Sequence, residues 1–199
     1  YNKDGIVKGE NINLAKEIAF LGTINNEAIL SPENNIGDSI DIAFKILGQK
    51  LDINSPNIKI IKEIPYESEN KYSALFYEYN NEIYCTVKGS LEVVKSFCKD
   101  INLVNDSIKG NLLETQNENL AKNGYRVIAL ANGKIKQQDR YSIKDIKDLT
   151  FMGMVGFIDP VRKEVYNALL DCKKAGIKVL MITGDHPLTA YSIASELDM

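Results

Sequence analysis

A chain of 199 residues with 44% hydrophobic and 26% charged residues can bury a sizeable core in one large or two small domains, which sets aside disordered and fibrous classes. Its formal net charge of −3 argues against a nucleic-acid binder, whose surface must neutralise phosphates. No apolar run reaches the length that crosses a bilayer, no signal-peptide pattern opens the chain, and three cysteines without metal-ligand spacing point to a reducing compartment. With a single histidine, His186, a His-rich metal site has little to draw on, and no metal ligands are assigned.

Tyr1 to Gly9 is polar and reads as a linker or edge strand. A helix is expected from about Asn13, with Leu14, Ile18 and Leu21 on one face and Gly22 as its stop. After an Asn-, Ser- and Pro-rich loop, Asp38 or Ser39 caps a second helix that carries Ile40, Ala43, Phe44 and Leu47 on one side and closes at Gly48. The period then changes. Ile58–Ile64, Tyr72–Tyr79 and Glu82–Lys88 are β-branched and aromatic runs, the last two joined by Asn80-Asn81, which tolerates the positive φ of a tight hairpin. A short helix starts at Leu91, and another covers about Leu112 to Asn123 and stops at Gly124. Tyr125–Leu130 reads as a strand, Asn132-Gly133 as a hairpin turn, and the charged segment from Gln137 to Asp148 as peripheral.

The stretch from Phe157 to Asp185 has a different pattern. A loop with Asp159 and Pro160 leads to a helix on which Val165, Ala168, Leu169 and Cys172 share a face, with Gly176 as its stop. A buried strand over Ile177–Ile182 is expected next, ending in Thr183-Gly184-Asp185, and a further helix has Pro187 in its first turn. Residues between a strand's carboxyl end and a helix's amino end lie where open α/β sheets bind anions. Asp185 could equally cap the helix, with Thr183 as a turn residue. The whole reads as an α+β domain, an antiparallel sheet flanked by helices over residues 1–150, followed by a partial α/β domain over 151–199.

Three positions in the middle have two readings each. Tyr66, beside a loop with Lys71 following, suits a base-stacking platform with a cation, or a core tyrosine and a solvated lysine. Lys88-Gly89 could face an anion, or carry an ordinary strand-end charge. Arg126, on a strand after Gly124, could reach a ligand or be structural.

DPVRKEV followed by MITGDHPLTA resembles the hinge and phosphorylation-domain segments of P-type cation-transporting ATPases, whose pattern there is DPPR and then TGD. EIPYESENKYS, CTVKGSLE, GYRVIALA and GDSIDIAF resemble further segments of that family, in its order, over nearly the whole chain. The resemblance implies a nucleotide-binding domain followed by part of a haloacid-dehalogenase-like phosphorylation domain. It implies ATP as ligand, with Tyr66 stacked on adenine, Lys71, Lys88 and Gly89 lining the pocket, Arg126 reaching the phosphates, and Asp41 where a Glu near the adenine usually stands. Thr183, Gly184 and Asp185 would be the catalytic set, with Thr183 and Gly184 holding the phosphoryl group and Asp185 helping Asp159 and Arg162 to close the domain interface, and Asp159, Pro160 and Arg162 would form the hinge.

Departures are Tyr66 for Phe, Asp41 for Glu, Ser90-Leu91 for Ala-Pro and Val161 for the second Pro of DPPR. The family's phosphorylated Asp, in D-K-T-G-T, and its magnesium-binding G-D-G-x-N-D are not in this sequence. The resemblance therefore implies a chain that binds ATP without turnover. Its Mg2+ ligands lie mostly elsewhere, and its partners are the missing phosphorylation, actuator and transmembrane parts of the same pump, on the cytoplasmic side of a bacterial plasma membrane. Calcium is favoured over sodium or potassium as the transported ion. A haloacid-dehalogenase-type phosphatase and a non-enzymatic nucleotide-sensing module are the alternatives.

Overall fold

The computed structural model describes residues 12–53, 57–100, 112–158, 161–184 and 187–199. The order is α1 (Ile12–Ile24), α2 (Ser39–Lys50), β1 (Lys59–Glu67), β2 (Tyr72–Tyr79), β3 (Glu82–Gly89), α3 (Leu91–Ser96), β4 (Cys98–Asp100), α4 (Leu112–Lys122), β5 (Arg126–Lys134), a 3-10 turn at Ile143–Asp145, β6 (Leu149–Phe157), α5 (Lys163–Lys174) and α6 (Pro187–Glu196). The strands form one sheet in the order β1-β2-β3-β5-β6-β4, with β1, β2, β3 and β5 antiparallel in turn and β4 parallel to β6. The α+β expectation holds for this sheet and its helices. Among the described residues no helix is long and apolar enough to cross a membrane.

Two compact units divide the chain. The first comprises residues 1–104 and 128–154, the second residues 105–127 and 155–199. In the first, β2 is buried from Tyr72 to Tyr77, because both of its faces are covered. On one face Phe20 of α1 meets Tyr79, with ring centroids 6.2 Å apart, and Asn25 donates to the Ser73 carbonyl. On the other, Phe97 packs edge-on against Tyr72 and Tyr141 stacks on Phe76, both at 5.1 Å. Cross-strand partners share a face, so Lys88, opposite Ser73, points to the side that α1 and α2 cover.

The β2–β3 hairpin turns through Asn80 and Asn81 at φ 50° and 62°, as the sequence predicts. β1 is an exposed edge strand that continues past the expected Ile58–Ile64 run through Pro65 to Glu67. Between the pairs Ile64↔Ala74 and Glu67↔Tyr72, two residues of β1, Pro65 and Tyr66, face the single Ser73. Such a bulge on an edge strand accommodates a residue without an N–H.

Gly22 does not stop α1, nor Gly48 α2. Each lies inside its helix where the two helices cross: a Cβ at Gly22 would fall 2.1 Å from the Phe44 ring, and one at Gly48 would fall 2.6 Å from Thr23 Oγ1. Asp52, at φ 54°, takes the left-handed position that ends α2, with Asp52 N–H donating to Gln49 and Ile53 N–H to Gly48. Asp38 caps the start of α2, accepting from Ile40 N–H at 2.9 Å. Asn132-Gly133 is likewise no turn, since β5 runs straight through it, with Asn132 opposite Thr86 and Gly133 opposite Cys85. A Cβ at Gly133 would meet Leu149 at 2.9 Å, which explains the glycine.

The second unit holds α4, α5 and α6. Tyr166 of α5 donates to the Glu196 carbonyl of α6, and Thr189 of α6 donates to the Tyr125 carbonyl beyond α4. Gly176, at φ 70°, ends α5 with the paired bonds Gly176 N–H to Lys173 and Ile177 N–H to Cys172. The buried strand expected over Ile177–Ile182 is not present. These residues form no strand and are exposed, Leu180 by 72% and Ile182 by 94%, because among the described residues no neighbouring strand takes up their backbone groups.

Gly22→Ala is expected to lower the unfolding free energy by about 1–3 kcal/mol, because Phe44 is fully buried and cannot move aside. Gly176→Ala, with open space around its Cβ, carries only the strain of its positive φ, roughly 1 kcal/mol. Urea unfolding of the two variants checks the order.

Candidate functional site

One end of the sheet gathers most of the predicted residues of the first unit. The β1–β2 turn is closed by Lys71 N–H donating to the Glu67 carbonyl at 2.8 Å, with Lys71 at φ 59°. The Lys71 carbonyl accepts from Ser90 N–H at 3.0 Å. A Cβ at Gly89 would lie 2.3 Å from that carbonyl oxygen, so only glycine lets the end of β3 lie against the turn. Lys71 and the run Lys88-Gly89-Ser90 are thus fixed together. Tyr66, in the bulge of β1, is 52% exposed at the same end.

Lys88 is the unusual group. Its side chain is 9% exposed and donates to Asp41 Oδ1 in the first turn of α2, itself 13% exposed. The ammonium lies 5.8 Å from the centroid of the Phe44 ring. Asp41 Oδ2 accepts from the Glu27 backbone N–H at 2.9 Å. Burial pulls the Lys88 pKa below the ordinary lysine value, and the charge and hydrogen bond of Asp41 oppose that pull. Ser73 Oγ, across the strands from Lys88, and Ser90 Oγ, beyond Gly89, are buried and have no hydrogen-bond partner among the described residues.

The remaining candidates belong to the second unit. Arg126, half-buried, opens β5 in the second unit. Arg162 is exposed at the N-cap position of α5, and Thr183 and Gly184 are exposed in the segment that forms no strand. Asp159, Pro160 and Asp185 lie outside the described residues. The sequence reading missed Phe44 as a neighbour of Lys88, and missed Ser73 and the Asn25–Glu27 loop. A serine inside an otherwise apolar run was the available signal for Ser73.

Burial pushes the Cys85 thiol up to about 12 and the Cys98 thiol to about 11. Among the described residues, no group of three or more His, Cys, Asp or Glu side chains is placed to hold a metal. The far end of the β2–β3 hairpin carries an open groove of about 450 Å³ with the exposed Glu82–Lys134 pair on its wall.

Residues 14–164, about three quarters of the chain, match the family described as P-type ATPase, cytoplasmic domain N. The chain belongs to that family. Similarity to individual P-type ATPases covers between 71% and 94% of the chain in the following cases. The chain is 31% identical to calcium-transporting ATPase 1 of Bacillus cereus, across 94% of this chain and 23% of that protein. It is 33% identical to the sodium/potassium exporting P-type ATPase cta3 of Schizosaccharomyces pombe (81% and 16%), and 35% identical to the calcium-transporting ATPase of Bacillus subtilis (71% and 17%). It therefore spans between 16% and 23% of the length of these P-type ATPases.

In this P-type ATPase N domain the Lys88–Asp41 pair is buried enough that removing one partner strands the other. Lys88→Met is expected to destabilise the fold by about 3 kcal/mol, and the double variant Lys88→Met/Asp41→Leu to recover most of that loss. A four-way comparison of urea midpoints measures both.

Proposed function

We propose that this chain is the nucleotide-holding cytoplasmic portion of a P-type cation-transporting ATPase, which presents ATP to an aspartate lying outside these residues. The observation that supports the reading is the sheet end where Gly89 lies against the Lys71 turn, next in sequence to Lys88 with its buried ammonium and a few residues from the exposed Tyr66. The chemistry of that end suits a nucleotide. An exposed aromatic face stacks a base, and a partly dehydrated ammonium attracts an anion.

On this reading Tyr66 holds the base, Lys71 and Lys88 line the pocket, and Arg126 extends toward the phosphates. Magnesium, when bound with ATP, would neutralise phosphate charge through ligands mostly outside this chain. Thr183, Gly184 and Asp185 would belong to the phosphoryl-holding part, with Asp159, Pro160 and Arg162 at its hinge. Residues 151–199 would then be part of a haloacid-dehalogenase-like domain. Placement beneath a membrane, in a bacterial plasma membrane, follows from the same reading. Calcium is the favoured ion because several of the similar proteins are named calcium-transporting. A phosphatase reading draws no support from residues 177–184, where no strand brings Thr183 to a sheet edge.

The test is a 1H–15N titration of the chain with ATP, with and without magnesium. Shifts are expected to cluster at Tyr66, Lys71 and Lys88–Ser90. Tyr66→Ala, an exposed change that leaves the fold intact, is expected to weaken binding by roughly tenfold. Shifts confined to Thr183 and Gly184, or none with ATP, would remove the assignment.

A further inference from the structure

Asp41 stands where the family resemblance puts a base-contacting carboxylate, yet its oxygens are already engaged. Oδ1 accepts from the Lys88 ammonium and Oδ2 from the Glu27 backbone N–H at 2.9 Å. Its own carbonyl accepts from Asn26 Nδ2 at 2.8 Å, and the same amide group donates to the Gly22 carbonyl at 2.9 Å, so helix, loop and helix are laced at this point. Each oxygen keeps a further lone pair, but a carboxylate that is only 13% exposed and held through both oxygens cannot turn to read the edge of a base without breaking one of these bonds. The opposite commitment, to Lys88, is what burial of an ammonium demands.

We infer that Asp41 is a positioning residue, which fixes the Lys88 ammonium beside Phe44 and does not itself select the base. The inference rests on the nucleotide-binding reading given above. It has two consequences. Discrimination among bases falls to the Tyr66 face, and every base offers a π surface, so ATP and GTP bind this chain within about threefold of one another. The charge of Lys88, by contrast, depends on Asp41. The acidic groups facing Lys88 are Asp41 and Asp38 from the start of α2 and Glu27 from the loop after α1, with the Phe44 ring beside it. Burial lowers the Lys88 pKa and Asp41 is the main group opposing it, so neutralising Asp41 lets the ammonium lose its proton at lower pH.

The experiment is calorimetric titration of the 199-residue chain with ATP and with GTP from about pH 6.5 to 9.5, using the wild type, Asp41→Asn and Asp41→Glu. The expected result is near-equal ATP and GTP affinity in the wild type and an equal loss of both in Asp41→Asn. That variant's decline with rising pH sets in at least about one unit lower than in the wild type. Asp41→Glu restores the wild-type pH profile. A second measurement needs no variant: the Glu27 amide resonance of the wild type keeps its position when ATP is added, because Asp41 stays bound to it. The inference is overturned if Asp41→Asn weakens ATP and spares GTP, if its pH profile superimposes on the wild type, or if the Glu27 amide shifts as Asp41 turns to the ligand. Failure of the underlying reading looks different: the wild type then binds neither nucleotide, and the inference falls with it.

Discussion

Burying an ammonium group costs several kcal/mol unless a carboxylate meets it, and Lys88 is carried into the interior on a central strand. Much of the first unit can be understood as the consequence. The carboxylate comes from the first turn of α2, so that turn must lie over β3. Asp38 starts the helix at the right residue, and the close crossing of α1 and α2 at Gly22, Phe44 and Gly48 holds it there. The loop between the helices then closes on the pair, with Glu27 N–H on Oδ2 and Asn26 on the Asp41 carbonyl. Gly89 completes the arrangement by letting the end of β3 approach the Lys71 turn.

What could be read from the sequence was local. Asn80-Asn81 announced its hairpin, Asp38 its cap, and Gly124 and Gly176 their helix ends, because each of these depends on the φ or hydrogen bond of one or two residues. Glycines at Gly22, Gly48 and Gly133 misled for the opposite reason. Their role is to let a distant element come close, to Phe44, Thr23 and Leu149, and nothing in the neighbouring residues reports that. The same applies to the site. Lys88, Tyr66 and Asp41 were identifiable through motif resemblance, but that Asp41 and Lys88 bond to each other across 47 positions is a property of the fold.

The segment 177–184 shows where strand propensity stops being informative. Ile177, Val179, Leu180, Met181 and Ile182 have the composition of a buried strand, yet pairing and cover come from other segments, and none among the described residues supplies them. α5 and α6, whose C-terminal ends are closed by local backbone bonds after Lys174 and Glu196, form without that sheet, joined by Tyr166 and the Glu196 carbonyl. Helices whose termination is encoded locally can thus be in place where a strand dependent on neighbours is not.

The central claim is that nucleotide binds at the sheet end built around Lys88 and not at the opposite end of the hairpin. Hydrogen–deuterium exchange with and without ATP tests it most directly. The account predicts slowed exchange over the 66–73 turn and Lys88–Leu91, with the Asn80-Asn81 turn unchanged. Protection confined to Asn81–Ile83 and Lys134–Gln137, with the Lys88 end unaffected, would contradict it.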